Sequence, residues 1–135
     1  MTTDTKEERL EALHAATVSA LVELAQAVKD AQEADDSEAL EAAERAIDED
    51  PLSVRVRDGW RNVGDTSEGP EEFEILLSTG GPASRIRGQL DGNGYPENFF
   101  VEVQDWFKPW QSFLGMTGEQ GDLIRDYYLS RFYFE

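Results

Sequence analysis

The sequence contains no cysteine and only one histidine, and these shortages remove most of the usual catalytic and metal-binding chemistry. Without cysteine there is no disulfide, no thiolate metal site and no cysteine nucleophile, which favours a reducing compartment. The histidine, His14, stands beside the apolar stripe of the first helical segment and has no Ser-His-Asp or Cys-His pattern around it. We therefore expect a protein with no cofactor and no metal that is not an enzyme.

Long apolar runs are also missing. Nowhere do about 18 apolar residues follow one another, and residues 1 to 8 lack the basic and apolar regions of a signal peptide. The sequence therefore predicts a cytoplasmic protein with no membrane segment.

Positive charge is scarce as well. The 135 residues include 12 Lys and Arg against 29 Asp and Glu, a formal net charge of -17. Solubility needs a net charge of only about 2 to 8 units, and self-repulsion destabilises the compact state. Naked nucleic acid and anionic membranes are poor partners for such a chain, whereas a basic protein surface is a good one. A halophilic proteome is the alternative origin of the charge, and composition leaves the oligomeric state open.

The first 50 residues have helical periodicity. Thr5 and Glu8 fit a capping box, and apolar residues recur from Leu10 to Val28 at spacings of three and four, which predicts a helix from about 5 to 33. At about 43 Å it is long enough for part of it to stand clear as an arm. Asp35 and Asp36 are candidate caps for a second helix that ends before Pro51. A helical hairpin is favoured, and one continuous bent helix stays open.

The hydrophobic period changes to two after Pro51. Four alternating runs centred near residues 55, 75, 87 and 101 are separated by Gly, Pro and Asn, which predicts an antiparallel meander. A last helix begins near Thr117, where Gln120 completes a capping box. The prediction is a single α+β domain over 1–135: an acidic helical segment (1–50), an antiparallel sheet (51–106), and an aromatic segment with the C-terminal helix (107–135).

The negative charge is concentrated in the helical part. Residues 1 to 50 have a net charge of -11 and residues 51 to 135 one of -6, and residues 30 to 50 alone hold ten acids opposed by Arg45. Extended along about 31 Å of helix, these acids have about half the charge density of duplex DNA. An ordinary solvated helix face is the competing interpretation. The candidate partner-binding acids are Asp30, Glu33, Asp35, Asp36, Glu38, Glu41, Glu44, Asp48 and Glu49.

The predicted sheet distributes its charges differently. Its outward side chains read Arg55 and Arg57, then Glu72 and Glu74, then two further arginines, then Glu102. Neighbouring strands therefore carry opposite charges, and we expect these arginines to pair within the sheet and not to bind phosphate.

Two other groups of residues are candidate sites. Asp91, Asn93 and Glu102 match three positions of a calcium loop, but Pro96 stands where that loop needs glycine, so a hairpin connection is favoured. Trp106, Phe107, Trp110 and Phe113 are expected to close the core against the last helix. The alternative is a contact site beside the acidic surface, with Trp106 and Trp110 as partner-binding residues.

Several stretches carry a resemblance: Glu71 to Pro82, then Arg85 to Gly88, Val103 to Trp106, and Phe132 to Phe134. Over about residues 51 to 135 the chain resembles small acidic proteins encoded by bacteriophages and integrative elements. The resemblance implies a context, because such proteins are often inhibitors of host defence, including DNA mimics that act as anti-CRISPR or anti-restriction proteins. It implies no catalytic residues, and residues 1 to 50 fall outside it.

Two hypotheses for the function follow, and a carboxylate enzyme is a less favoured third. In the first, the protein inhibits a host DNA-targeting complex, foremost a CRISPR effector, by occupying its basic nucleic-acid channel in the bacterial cytoplasm. In the second, it is a phage or plasmid adaptor that holds a host protein through its aromatic surface.

Overall fold

The computed structural model describes residues 6–64, 69–106 and 108–134. Two helices come first, an antiparallel four-stranded sheet follows, and a short helix comes last, so the predicted α+β class and element order are confirmed. The elements are α1 (Lys6–Glu33), α2 (Ser37–Asp48), β1 (Ser53–Arg57), β2 (Glu72–Ser78), β3 (Pro82–Gln89), β4 (Phe100–Asp105) and α3 (Gly118–Leu123).

Helix α1 packs against the rest of the protein along nearly its whole length. Its buried side chains run from Leu10 through Leu21 to Ala31. The apolar spacing of three and four places them on one face, which lies against β3 and β4. The helix therefore has no free arm of the kind its length allowed. Thr5, half of the predicted capping box, lies outside the described residues.

A three-residue turn separates α1 from α2. Asp35 has a φ of 53°, in the left-handed region. Its N–H donates to the Gln32 carbonyl at 3.2 Å, and the N–H of Asp36 donates to the Ala31 carbonyl at 3.1 Å. This is the Schellman pattern that ends many helices, here without its usual glycine. The side chain of Asp36 then accepts from the Ala39 N–H and caps α2, so the hairpin is correct and the continuous bent helix is not.

The sheet has the strand order β1-β2-β3-β4 with every neighbouring pair antiparallel. Its register places Ile75 beside Ile86 and Ile86 beside Val101, and each of these side chains is at most 1% exposed. They form the inner face, which the helices cover. The arginines and glutamates at alternate positions therefore lie on the outer face.

The helical layer is off-centre over this inner face. Helix α1 lies against β4 and β3, on the side of the sheet away from β1. Val54 of β1 stands opposite Ile75 in the register, yet it is 38% exposed, and Leu52 just before β1 is 61% exposed. The edge of the inner face at β1 is therefore open.

The last helix starts as predicted and then changes its winding. Thr117 and Gln120 form the expected capping box at the start of α3. After Leu123 the chain continues as a π-helical turn from Ile124 to Tyr128, and Leu129 opens a 3₁₀ turn. A π-helical turn brings residues five apart, here Ile124 and Leu129, onto the same side of the chain. Both of them and Tyr128 are at most 1% exposed.

The conformation of Asp35 gives a test of the turn. Replacing Asp35 by Gly should raise the free energy of unfolding by about 0.5 to 1 kcal/mol, because glycine adopts positive φ without strain and one negative charge leaves the C-terminal end of α1. Asp35→Ala is the matched control, since it removes the same charge and keeps the strain. Urea titrations should rank Gly above Ala by about 1 kcal/mol, and equal stability of the two variants would contradict this account.

Candidate functional site: the acidic hairpin

The acids predicted to bind a partner lie on one helical hairpin, residues 30–50, which we call the acidic hairpin. Because the chain turns back at Asp35, these acids do not lie along a 31 Å rod. Helix α2 with 12 residues spans about 18 Å, and the acids cluster at the bend and along this helix. All the predicted acids are exposed except Glu44, which is half-buried: Asp30, Glu33, Asp35, Asp36, Glu38, Glu41, Asp48 and Glu49.

The far end of α2 is tied to the C-terminal turn. Arg131 donates from Nε and Nη2 to the two carboxylate oxygens of Asp48 at 3.0 and 2.7 Å, and from Nη1 to Glu44 Oε2 at 3.0 Å. The hydrogen bond to Asp48 is the main reason that the pKa of Arg131 is raised. This two-pronged pairing fixes both the position and the rotation of α2.

A buried tyrosine makes a second tie at the same end. Tyr128 is fully buried, and its hydroxyl donates to Asp50 Oδ2 at 2.7 Å. Burial, followed by the hydrogen bond to Asp50, raises the pKa of Tyr128 far above its ordinary value. The hydroxyl therefore remains a donor, and a negative charge at the end of the hairpin is accommodated.

The acids at the bend are held differently. Asp36 caps α2, and Asp30 accepts a hydrogen bond from Gln26 at 2.8 Å. Within the described part of the chain, the side chains of Glu33, Glu38 and Glu41 have no hydrogen bond or ion pair with another residue. The bend therefore presents a group of exposed carboxylates that the protein itself does not neutralise.

This arrangement is unfavourable for the isolated hairpin. Glu38 and Glu41 are three residues apart on α2, as are Glu41 and Glu44, and like charges at this spacing repel by a few tenths of a kcal/mol. Glu33 adds negative charge at the C-terminal end of α1, where the helix dipole favours positive charge and no basic residue stands in the last turn. Other acids of the bend act in the opposite direction, because Asp36 caps α2 and Glu38 lies in its first turn, where negative charge is favourable.

The outer face of the sheet is internally paired, as predicted. Arg85 contacts Glu74 and Glu102 at 2.7 Å each, and Arg55 and Arg57 pair with the glutamates of β2. Burial raises the pKa of Glu74, but the hydrogen bonds from Arg55 and Arg85 outweigh it and the net shift is downward.

The two predicted partner-binding tryptophans have different surroundings. Trp110 is half-buried and stacks on Arg85, with the guanidinium carbon 4.1 Å from the ring centre. Since Arg85 belongs to the outer face, Trp110 lies across the sheet from the helices and does not extend the acidic hairpin. Trp106 is 63% exposed and packs beside Gly81, where a Cβ atom would stand 2.3 Å from the indole nitrogen. Phe107 lies outside the described residues.

The sequence places His14 at the flank of the apolar stripe, but in the structure His14 belongs to the core. It is 4% exposed, and its ring meets that of Phe113 edge-on at 5.7 Å. Burial lowers its pKa, while a hydrogen bond with the Val101 backbone and the charge of Glu11 act in the opposite direction. The ring helps to close the contact between α1 and the segment after β4.

The calcium-like loop has a structural explanation. Asp91 Oδ1 accepts from the N–H groups of Asn93 and Tyr95 at 2.8 and 3.0 Å, which forms a tight turn. Glu102 is on the outer face and pairs with Arg85 and Arg87. Across residues 6–64, 69–106 and 108–134, no cluster of three or more acidic or histidine side chains is arranged to hold a metal ion.

Among the helices of these same ranges, none has the length and apolar character needed to cross a membrane. Comparison with protein-family models, curated proteins and solved structures gave no match.

Sequence reasoning found the acids but missed their attachment. Arg131 is separated from Asp48 by 83 residues and Tyr128 from Asp50 by 78, so no local pattern announces either contact. The only available signal is that Tyr128 is a polar member of an apolar stripe, and a buried hydroxyl needs a partner.

Loss of the Arg131 tie should loosen the hairpin. Arg131→Gln should lower the free energy of unfolding by about 1 kcal/mol, a value reduced by solvent screening because the pair is partly exposed. Hydrogen exchange of the α2 amides should become faster. Arg125→Gln is the control, since Arg125 pairs only with neighbouring acids on the surface, and it should change stability by less than about 0.5 kcal/mol. Equal effects of the two variants would contradict the role of Arg131.

Burial of His14 predicts a pH-dependent stability. Its folded-state pKa lies below the unfolded value of about 6.5, so acidification protonates the unfolded chain first. The stability of the wild type relative to His14→Gln should therefore be constant above about pH 7.5 and fall as the pH drops through 6.5. Melting curves of both chains from pH 8 to 5 measure this difference, in which the shared acids cancel. A difference that does not change with pH would show that His14 stays accessible to protons in the fold.

Proposed function

We propose that this protein is a non-enzymatic inhibitor of a host DNA-targeting defence complex. In this proposal the acidic hairpin occupies the basic nucleic-acid channel of the complex, foremost that of a CRISPR effector, in the bacterial cytoplasm. The observation that carries it is the group of exposed acids at the bend, in which Glu33, Glu38 and Glu41 have no hydrogen bond or ion pair among the described residues. Exposed acids that lie close together without such partners are accounted for if a basic surface neutralises them.

The spacing of the charges supports occupation of such a channel. From Asp36 to Asp48 five acids span about 18 Å of α2, but Glu44 and Asp48 pair with Arg131, which leaves three, or about one per 6 Å. Duplex DNA has one charge per about 1.7 Å. The hairpin is therefore less densely charged than DNA, but its carboxylates are held on a folded scaffold. A channel lined with Lys and Arg would meet a preorganised surface with little further loss of chain entropy.

The anchoring at the far end of α2 adds a second support. Arg131 and Tyr128 hold the hairpin by Glu44, Asp48 and Asp50 and leave the acids of the bend outward. The resemblance proposed from the sequence for residues 51 to 135, to small acidic proteins of bacteriophages and integrative elements, does not include the hairpin, so this proposal gives the hairpin a role of its own.

The adaptor hypothesis retains one observation. Trp106 is 63% exposed, and large exposed aromatic side chains often anchor protein interfaces. Trp110 does not contribute to such an anchor, because it covers Arg85. An adaptor function therefore depends on Trp106, and Trp106→Ser would abolish it without affecting the function of the hairpin.

The inhibition should depend on the acids at the bend. The test variant combines Glu33→Lys and Glu41→Lys with Asp35→Asn and Glu38→Gln, which changes the charge by six units, keeps the cap residue Asp36 and keeps a residue that tolerates positive φ at position 35. Gel-shift competition with a purified CRISPR effector and its target DNA should show at least a tenfold loss of inhibition for the variant. Inhibition by the wild type should weaken as salt rises, because exposed charges are screened beyond about 8 Å at physiological ionic strength.

The matched control makes the same charge change elsewhere. Glu7→Lys, Glu11→Lys and Glu23→Lys alter three exposed positions of α1 outside the hairpin, again by six units. This control should inhibit nearly as well as the wild type, and a restriction endonuclease assayed in parallel distinguishes the two classes of target. If the hairpin variant remained folded and inhibited fully, or if both variants failed equally, the acidic hairpin would not be the specific contact.

A further inference from the structure

Strand β1 forms an open edge of the sheet. It pairs with β2 on one side, and within the described part of the chain no strand pairs with its other side. An edge strand exposes backbone donors and acceptors, and these can pair with a further strand. The two faces of β1 determine which strand would fit.

The inner face of this edge is apolar and uncovered. Leu52 is 61% exposed and Val54 is 38% exposed, because α1 packs over the other side of the sheet. Ile75, the partner of Val54 in β2, is fully buried. Val56 of β1 still packs against the core, so the uncovered part of the edge is Leu52 and Val54, and an added strand with apolar side chains on this face would cover them.

The outer face of the same edge is basic. The side chains of Arg55 and Arg57 are 69% and 70% exposed. Each pairs with a glutamate of β2, but a guanidinium has five donors, and Arg57 uses its Nε for Glu72. The terminal amino groups of Arg57 therefore remain for a further acidic group. Because both arginines are turned towards β2, they do not cover the backbone donors and acceptors of the β1 edge.

The neighbouring surface has the same sign. A cavity of about 450 Å³ on the outer face of β1, β2 and β3 is lined by four arginines and two glutamates. Glu102 pairs with two of these arginines, so four arginines face three glutamates, and this surface carries only a small positive excess on a chain of net charge -17. The charged residues that line it are Arg55, Arg57, Arg85, Arg87, Glu72 and Glu74.

We propose that the β1 edge binds an extended segment of another protein in which acidic and apolar side chains alternate. The segment adds a fifth strand, with its acids beside Arg55 and Arg57 and its apolar residues beside Leu52 and Val54. The template for this pattern is β2 itself, where Glu72 and Glu74 alternate with apolar residues and pair with β1 in this way. Main-chain hydrogen bonds provide the affinity, and the alternating side chains provide the specificity.

A second copy of this chain fits the edge poorly. A two-fold pairing of β1 with itself centred on Arg55 or on Val56 sets arginines opposite one another, which is unfavourable. A pairing centred on Val54 sets Arg57 opposite Pro51, which has no N–H to donate. Two chains of net charge -17 also repel each other.

The test uses the full chain and a fluorescent peptide of sequence Glu-Val-Glu-Ile-Glu-Val. Fluorescence anisotropy should show saturable binding, and two control peptides should bind at least tenfold more weakly. The first control has lysine in place of glutamate, and the second has the same composition without alternation, as Glu-Glu-Glu-Val-Val-Ile. Hydrogen exchange of the amides of residues 53–57 should slow when the first peptide binds.

Surface variants distinguish binding at the β1 edge from non-specific binding to exposed apolar side chains. The pair Leu52→Ser and Val54→Thr should weaken binding of the alternating peptide at least fivefold. The variant Phe100→Thr, which alters an exposed apolar residue of β4 at the opposite edge of the sheet, should leave it unchanged. Melting curves by circular dichroism confirm that each variant is folded, and Arg57→Gln provides an independent loss on the outer face.

Three results would overturn the proposal. The first is no binding at up to about 1 mM peptide, which corresponds to a binding free energy weaker than about 4 kcal/mol. The second is slower amide hydrogen exchange located away from residues 53–57. The third is a slowing of exchange in β1 that grows with protein concentration in the absence of peptide. The last result would assign the edge to a second copy. The hairpin variant with altered charge should bind the peptide like the wild type, so failure here is distinct from failure of the proposed inhibition.

Discussion

The hydrogen-bonded pairing of Arg131 with Asp48 and Glu44 is the contact on which the arrangement of this protein depends. Helix α2 contributes one fully buried side chain, Ile47, and carries a row of like charges. Leu40 and Ala43 are partly buried beside Ile47, so apolar contact supplies part of what holds this helix in one orientation. The guanidinium neutralises two of its acids and fixes its rotation, and the Tyr128 hydroxyl adds a third fixed point at Asp50.

Arginine–carboxylate pairing also occurs on the outer face of the sheet, but there it leaves few charges unpaired. Arg85 lies between Glu74 and Glu102 and under the ring of Trp110, so its charge is used within the fold. In the hairpin Arg131 serves only the far end, and among the described residues Glu33, Glu38 and Glu41 at the bend have no ion pair. Neutralisation is therefore nearly complete across the sheet and incomplete at the bend, and the incomplete part is where we place the contact with a basic partner.

The elements that follow from local periodicity could be predicted, and the contacts between distant elements could not. The spacing of three and four from Leu10 onward and the alternation around Val101 are properties of neighbouring residues, and both elements are confirmed. The end of α1 is harder to predict from the sequence, because the residue in the left-handed conformation is Asp35 and not the usual glycine. The π-helical turn and the burial of His14 depend on packing against partners far along the chain, which no window of sequence contains. The acids of the site can be recognised from the composition of residues 30 to 50, whereas the role of Arg131 can be recognised only from the three-dimensional structure.

The long sequence separation within the Arg131 pairing affects the order in which the fold can be completed. Asp48 leaves the ribosome 83 residues ahead of Arg131. At synthesis rates of about 5 to 20 residues per second, the acidic hairpin waits about 4 to 17 seconds for its anchor. During that interval Arg45 is the only basic residue within the hairpin sequence to oppose its ten acids. The hairpin of a nascent chain is therefore held only by its Schellman turn and its Asp36 cap, and its fixed orientation is acquired after the sheet has been synthesised.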